Sequence, residues 1–196
     1  MIRAPRANRK GPFGQRHARG VALTEAMNFL GLAALLSAGG MYGLARYVRH
    51  AKTAEAVGSV TAIAEAAARY YDQSDANQPA GTTPEAAHAM RHFPPASKAS
   101  VPAAPDAIKG KRYQSTLGDW SGSPWSELRF SIPQPQYYAY SFESQGSGAQ
   151  ATATAIAHAD LDGNGKASTY RLSITPDPVT FKAKVAVEVE KLDPEE

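Results

Sequence analysis

The chain contains no cysteine, so its fold cannot depend on disulfides or on thiolate metal sites. Acidic residues are missing from the first 19 positions, which carry six basic side chains, namely Arg3, Arg6, Arg9, Lys10, Arg16 and Arg19. The other 15 of the 21 basic residues stand against 18 acidic ones, so the rest of the chain is slightly acidic. The N-terminal segment therefore sets the basic pI of about 9.1. An arginine-rich arm can neutralise phosphates without being folded, but a basic flank before an apolar segment is what membrane insertion requires, so we expect no direct binding of nucleic acid.

Residues 26–45 lack any formal charge. As a helix, such a segment covers roughly 30 Å, the thickness of the hydrocarbon layer of a bilayer. The six positive charges before it outnumber Arg46, Arg49 and Lys52 directly after it. The positive-inside rule then predicts a cytoplasmic N-terminus and places the bulk of the chain outside.

Motifs of catalysis are also missing. The sequence has no G-x-S-x-G, no P-loop and no H-E-x-x-H motif, and it has no cysteine nucleophile. His158 is close to Asp160 and Asp162 in sequence, but it occupies a predicted strand position, and with five histidines in 196 residues such neighbours are commonplace. We therefore expect that the protein is not an enzyme.

From the residues alone, three interpretations of the segment 20–47 stay open. It is a secretory signal peptide cut near Met41, an uncut membrane anchor, or a leader cut after Gly20 that leaves the apolar segment attached. Glu25 separates them, because an acid at the start of an apolar segment is costly in lipid and is usually kept for a reason. A helix N-terminus would also favour this carboxylate through the helix dipole.

The sequence G-V-A-L-T-E from Gly20 to Glu25 resembles the processing site of type IV pilins and pseudopilins. The resemblance implies that a prepilin peptidase and N-methyltransferase cuts the chain after Gly20 and methylates the new N-terminus, Val21. It also implies that Glu25 meets the amino group of a neighbouring subunit during assembly, because two buried charges are costly unless they pair. Val21 replaces the usual phenylalanine of the family, which favours a minor subunit.

Beyond the charge-free segment, an apolar stripe predicts that the helix continues to residue 73. Its members recur at spacings of three and four residues: Val57, Val60, Ala64, Ala67 and Tyr71. The opposite side carries charged residues, namely Lys52, Glu55, Glu65 and Arg69. We thus predict one helix over 21–73, with a transmembrane half (21–50) and an amphipathic half (51–73).

Prolines interrupt residues 74–116, which predicts a surface loop with one helical turn beginning at Pro84. From 117 to 196 the apolar residues alternate, and five strands are predicted at 125–132, 137–144, 151–159, 167–175 and 181–190. The short turns between them predict an antiparallel sheet. We expect the aromatic residues Tyr137, Tyr138, Tyr140 and Phe142 to belong mainly to its core.

The predicted fold class is α+β, and the resemblance implies a pilin-like layout in which the long N-terminal helix packs on the C-terminal antiparallel sheet. The five segments are then a leader (1–20), the two helix halves, the loop and the sheet head (117–196). The implied partners are other pilin subunits, the peptidase, the inner-membrane assembly machinery and the lipid bilayer. The implied location is the bacterial inner membrane, with a periplasmic head, and then a pilus or pseudopilus. The alternative is an exported or anchored periplasmic β-rich module that binds a ligand or calcium.

The segment Ala159 to Ser168, A-D-L-D-G-N-G-K-A-S, resembles the start of an EF-hand loop. Asp160, Asp162 and Asn164 occupy positions one, three and five, but the twelfth position is Arg171, where a calcium loop needs glutamate. We favour a hairpin turn in which Gly163, Asn164 and Gly165 adopt positive φ. A weak calcium site at the three oxygen-bearing side chains is the alternative, and no other cofactor is expected.

Overall fold

The computed structural model describes residues 23–74, 81–104 and 108–193. It is α+β, with an apolar N-terminal helix followed by a C-terminal antiparallel sheet. Helix α1 is Leu23–Gln73, so the predicted helix over 21–73 is confirmed from Leu23 onward, while residues 21 and 22 lie outside the described part. The chain divides into two compact units after Ala45, and the second unit runs from Arg46 to Glu196.

The core of the second unit contains the predicted apolar stripe of α1. Four of its members are buried, namely Val60, Ala64, Ala67 and Tyr71, together with Ala56 and Ile63, and Val57 packs against them. They join one hydrophobic cluster with the inner face of the sheet. Several of these helix residues are alanines, which let the helix approach the strands closely.

The sheet has five antiparallel strands, of which the first four pair in chain order and the fifth pairs with the third. Its three long strands are β1 (Ala139–Gln145), β2 (Thr152–Ala159) and β3 (Ser168–Pro176), close to the predicted bounds. In the register, Tyr140 lies opposite Ala157 and Phe142 opposite Ala155, so large aromatic side chains of β1 face small ones of β2. Tyr138, Tyr140 and Phe142 are buried, as predicted, whereas Tyr137 is half-buried.

The predicted strand at 125–132 is wrong. Residues Trp125–Leu128 form the short helix α3, which Arg129 ends in a left-handed backbone conformation. The three-residue spacing of Trp125 and Leu128 puts both on the buried side of one helical turn. The Trp125 ring packs edge-on against Trp120 at 5.1 Å between centroids, a contact between chain segments that strand periodicity does not reveal.

The predicted strand at 181–190 is also wrong as a single element. It forms two three-residue strands, β4 (Ala183–Val185) and β5 (Glu190–Leu192), which pair with different parts of β3. The alternation holds only in part, because Ala183, Val185 and Val189 pack on the core while Val187 is 93% exposed. Phe181 has φ of 56°, which is incompatible with an extended strand.

Residues 81–104 of the proline-rich segment contain the predicted helical turn. Helix α2 is Pro84–Met90, with Pro84 in its first turn and the Thr83 hydroxyl accepting the N–H of Ala86 at 3.3 Å. The segment is more than a surface loop, however, because Phe93 and Val101 are buried. Val101 exchanges two backbone hydrogen bonds with Tyr140, of 2.8 and 3.0 Å, and so covers the outer edge of β1.

Candidate functional site

The apolar segment Leu23–Leu44 is the part of α1 that has the length and composition to cross a membrane. Its 22 residues have a mean hydropathy of 1.3, and none of its most apolar window is buried. A core helix of a soluble protein would be covered, whereas a signal sequence near an N-terminus would have the same length and composition. The segment is therefore not part of the buried core of this chain, and both a membrane span and a signal sequence agree with its length and composition.

Large aliphatic side chains of this segment stay accessible. Leu35 is 74% exposed and Leu36 is 68% exposed, and Phe29 and Met41 are similar. Burying one such side chain gains roughly 1.5–3 kcal/mol. A segment of this kind is unfavourable in water, so an apolar surrounding, either lipid or other helices, stabilises it.

Glu25 lies in the first turn of α1, and its side chain is exposed. The unpaired N–H groups of a helix N-terminus carry partial positive charge, which favours a carboxylate there by roughly 0.3–1 kcal/mol. The predicted cleavage residues, Gly20 and Val21, lie outside the described residues. The structure thus places the predicted assembly carboxylate at the start of the apolar helix and leaves the predicted cut as a prediction.

A pair of glycines one turn apart, which the sequence reasoning missed, lies in the same segment. A Cβ added at Gly39 or Gly43 would have no neighbouring atom within 4 Å. The spacing G-x-x-x-G is readable in the sequence and is typical of membrane helices that pack closely against one another. This face of the helix can therefore receive a second helix at short distance.

The loop between β2 and β3 is a turn held by its own side chains. The carboxylate of Asp160 accepts the N–H groups of Gly163 at 2.7 Å and Gly165 at 2.9 Å. Asp162 accepts both the backbone N–H and the side-chain amide of Asn164, at 3.0 and 2.9 Å. The carboxylates thus close the turn, in the manner of aspartates in tight turns.

The backbone of this loop agrees with the turn interpretation in part. Gly163 and Gly165 have φ of 81° and 93°, as predicted, but Asn164 does not have positive φ. Burial alone would raise the pKa of Asp160, but the N–H groups of Gly165, Gly163 and Asn164, together with the charge of Lys109, lower it overall. The carboxylate is therefore stabilised in its charged form by the loop itself, and a calcium ion is not needed to explain its geometry.

Two histidines of the described part, His158 and His88, contact other side chains of the fold. Among residues 23–74, 81–104 and 108–193, no three His, Asp or Glu side chains are grouped to hold a metal ion. His158 is hydrogen-bonded through Nδ1 to the Thr169 hydroxyl at 2.8 Å, and burial followed by the charge of Arg171 lowers its pKa. His88 stacks on the ring of Phe181 at 4.6 Å. These imidazoles have structural partners in the fold.

Comparisons of the chain with protein-family models, with curated proteins and with solved structures found no match.

Proposed function

We propose that this chain is a minor structural subunit of a type IV pilus or of a pseudopilus-like filament. In this proposal the precursor is inserted in a bacterial inner membrane through α1, with the second unit in the periplasm. A prepilin peptidase removes residues 1–20, and α1 then enters a bundle with the helices of other subunits. We assign the chain no catalytic role.

The observation that carries the proposal is the uncovered apolar segment Leu23–Leu44 with Glu25 in its first turn. Glu25 is also the fifth residue after Gly20, which is the position of the glutamate in the processing sites of type IV pilins and pseudopilins that this segment resembles. A cut before Val21 would create an amino group, and in an apolar bundle that group and the carboxylate of a neighbouring subunit would each be costly unless they paired. The α+β fold, in which the second half of the helix packs on an antiparallel sheet, is compatible with a pilin-like layout and supports the same proposal.

Mass spectrometry of the mature protein tests the cut directly. We expect a chain that begins at Val21, with a methyl group on its amino nitrogen. A mature chain that begins near Met41, or one that keeps its first 20 residues, would contradict the proposal. That result would support the exported or anchored ligand-binding module instead.

Substitution of Glu25 tests assembly separately from processing. Glu25→Ala should leave the cut after Gly20 intact and sharply reduce recovery of the protein in sheared surface filaments, because the partner amino group loses its counter-charge. Glu65→Ala is the matched control, since Glu65 is an exposed acid of the same helix in the second unit. Normal incorporation of the Glu25 variant into filaments would reject the assembly role.

A further inference from the structure

A polar cleft of about 540 Å³ lies in the second unit, where the last turns of α1 approach α3. Arg69, Tyr70 and Gln73 of α1 line one side, and Glu127 and Arg129 line the side of α3. The volume is within the range of roughly 300–1,000 Å³ that small-molecule sites occupy. Assembly through the N-terminal segment of α1 makes no use of this cleft.

Arg129 stands at a position that favours glycine. Its φ of 51° and ψ of 41° are left-handed, and its N–H bonds the Ser126 carbonyl at 3.2 Å. The N–H of the next residue, Phe130, donates a hydrogen bond of 3.0 Å to the Trp125 carbonyl. The ring centroids of Phe130 and Trp125 lie 6.0 Å apart. These are the bonds and the apolar contact of a Schellman helix end, whose left-handed residue is usually glycine because any Cβ is unfavourable there. Glycine would make the same turn, so what arginine adds is a guanidinium on the cleft wall.

A second guanidinium lines the cleft from α1. Arg69 lies 3.9 Å from Glu65, but both side chains are more than half exposed, so this ion pair holds the arginine only weakly. A guanidinium presents a planar fork of donors that matches a carboxylate. Arg69 and Arg129 together therefore favour a ligand with a carboxylate group.

The other walls suit hydroxyl groups and a ring. The rings of Tyr70 and His92 meet edge to face at 6.0 Å. Burial, and then the nearby Glu127 carboxylate, raise the pKa of Tyr70, so its hydroxyl stays a proton donor at neutral pH. Glu127 accepts hydrogen bonds and the amide of Gln73 both donates and accepts them. Glu127 also disfavours an anion that concentrates two negative charges in one group, such as phosphate, because its own charge lines the cleft.

We propose that this cleft binds a carboxylate-bearing saccharide, with the sugar carboxylate on Arg69 and Arg129 and the sugar hydroxyls on Glu127 and Gln73. The proposal does not rest on the filament function, since it uses only side chains of the second unit.

Titration calorimetry of the full chain tests it, in a detergent without a sugar headgroup. The probes are a trimer of galacturonic acid, the corresponding neutral galactose trimer, and succinate as a carboxylate without a sugar. We expect the acidic trimer alone to bind, and to bind more weakly as salt is added. Equal binding of the neutral trimer, equal binding of succinate, or no binding of any probe would overturn the proposal.

Arg129→Gly separates a binding role from a structural one. It removes the guanidinium and also the left-handed strain, so the urea midpoint should be unchanged or higher while the affinity for the acidic trimer falls about tenfold or more. Arg69→Ala should weaken binding similarly. Lys98→Ala, which removes an exposed positive charge that does not line the cleft, should leave binding unchanged. Undiminished binding by a stably folded Arg129→Gly variant would overturn the proposal.

Discussion

The carboxylate of Glu55 accepts a hydrogen bond of 2.8 Å from the backbone N–H of Tyr137. The same oxygen accepts a bond of 3.2 Å from the hydroxyl of Tyr140 on β1. Tyr137 is also approached by two cations, with Lys52 Nζ at 4.6 Å and Arg112 Cζ at 4.8 Å from its ring centroid. Within the second unit, Glu55 thus joins α1 to the segment that enters the sheet.

Removal of this acceptor should destabilise the second unit. Glu55→Ala leaves the Tyr137 N–H without its acceptor and removes one of the partners of the buried Tyr140 hydroxyl, which Ser59 also contacts. An unsatisfied donor costs roughly 1–3 kcal/mol. Urea unfolding of the full chain in detergent, followed by the fluorescence of Trp120 and Trp125, measures the loss. Glu65→Ala is the control, because its exposed carboxylate should change the free energy of unfolding by less than about 0.5 kcal/mol. Equal midpoints for the two variants would contradict the prediction.

The protonation of Glu55 should make stability depend on pH in a defined direction. Burial raises its pKa above 4.5, and the bonds from Tyr137 and Tyr140 only partly offset this. The folded state therefore binds the proton more tightly than the unfolded state, so the stabilisation linked to protonation of Glu55 is fully present below pH 4.5 and is lost as pH rises through the higher folded pKa, while the carboxylate still accepts both hydrogen bonds. Relative to the wild type, Glu55→Gln should lose less stability as pH rises through this window. Parallel pH profiles of the two proteins would refute the assignment.

The sequence predicted the elements whose pattern is local. The spacing of Val60, Ala64 and Ala67 located the buried face of α1, and alternation located β1, β2 and β3 within two residues. Thr83 and Pro84 located the start of α2, since a cap and a first-turn proline act on their own helix. In each case the information lies within a few residues of the element.

The contacts between distant segments were not predictable in this way. Glu55 looked like a solvated helix residue, but its partners are 82 and 85 positions away. Val101 covers the edge of β1 from a proline-rich segment. The helix end at Arg129 has a left-handed backbone without the glycine that usually indicates such a position in a sequence. In the apolar segment, Glu25 was identified by its position after Gly20. The G-x-x-x-G spacing of Gly39 and Gly43 is also present in the sequence, but it was not recognised there.

Gly148 should be intolerant of a side chain. Its φ is 56°, and a Cβ would lie 2.9 Å from the carbonyl oxygen of Ala89 and 3.0 Å from its Cα. The carbonyl oxygen of Gly148 also accepts a hydrogen bond of 2.8 Å from the Tyr71 hydroxyl, and its N–H donates one of 2.7 Å to the Arg91 carbonyl. The backbone at Gly148 therefore cannot shift freely. Gly148→Ala should lower the free energy of unfolding by about 2–4 kcal/mol, as backbone strain and overpacking combine.

Gly163→Ala is the matched control for this clash. Its φ is 81°, but a Cβ would meet nothing within 4 Å. Only the left-handed strain applies there, so the expected loss is about 1 kcal/mol. Urea unfolding of both variants measures the difference. Equal losses would mean that the backbone at Ala89 moves away from the added Cβ without lowering the free energy of unfolding.

The turn between β2 and β3 should weaken in acid. Burial tends to raise the pKa of Asp160, but the backbone N–H groups of Gly165, Gly163 and Asn164 and the charge of Lys109 together lower it below 3.8. Its contribution to stability is therefore present above pH 3.8 and is lost as pH falls through the lower folded pKa. Asp160→Asn should be less stable than the wild type at neutral pH, and the difference should shrink as the solution is acidified. A difference that is constant from neutral pH to below pH 3 would contradict this account.

Close packing of α1 against another helix should depend on Gly43. Gly43→Leu fills a face where nothing now lies within 4 Å, so it should block a neighbouring helix without harming its own, since leucine favours a helix by roughly 1 kcal/mol over glycine. Ala34→Leu is the control, because at about 100° per residue it lies nearly opposite the Gly39 and Gly43 face. The natural chain has no cysteine, so Leu36→Cys provides a single site for disulfide cross-linking of neighbouring copies in the membrane. We expect cross-linking to fall in the Gly43 variant and to persist in the Ala34 variant. If both variants cross-link equally, helices do not approach one another along the glycine face.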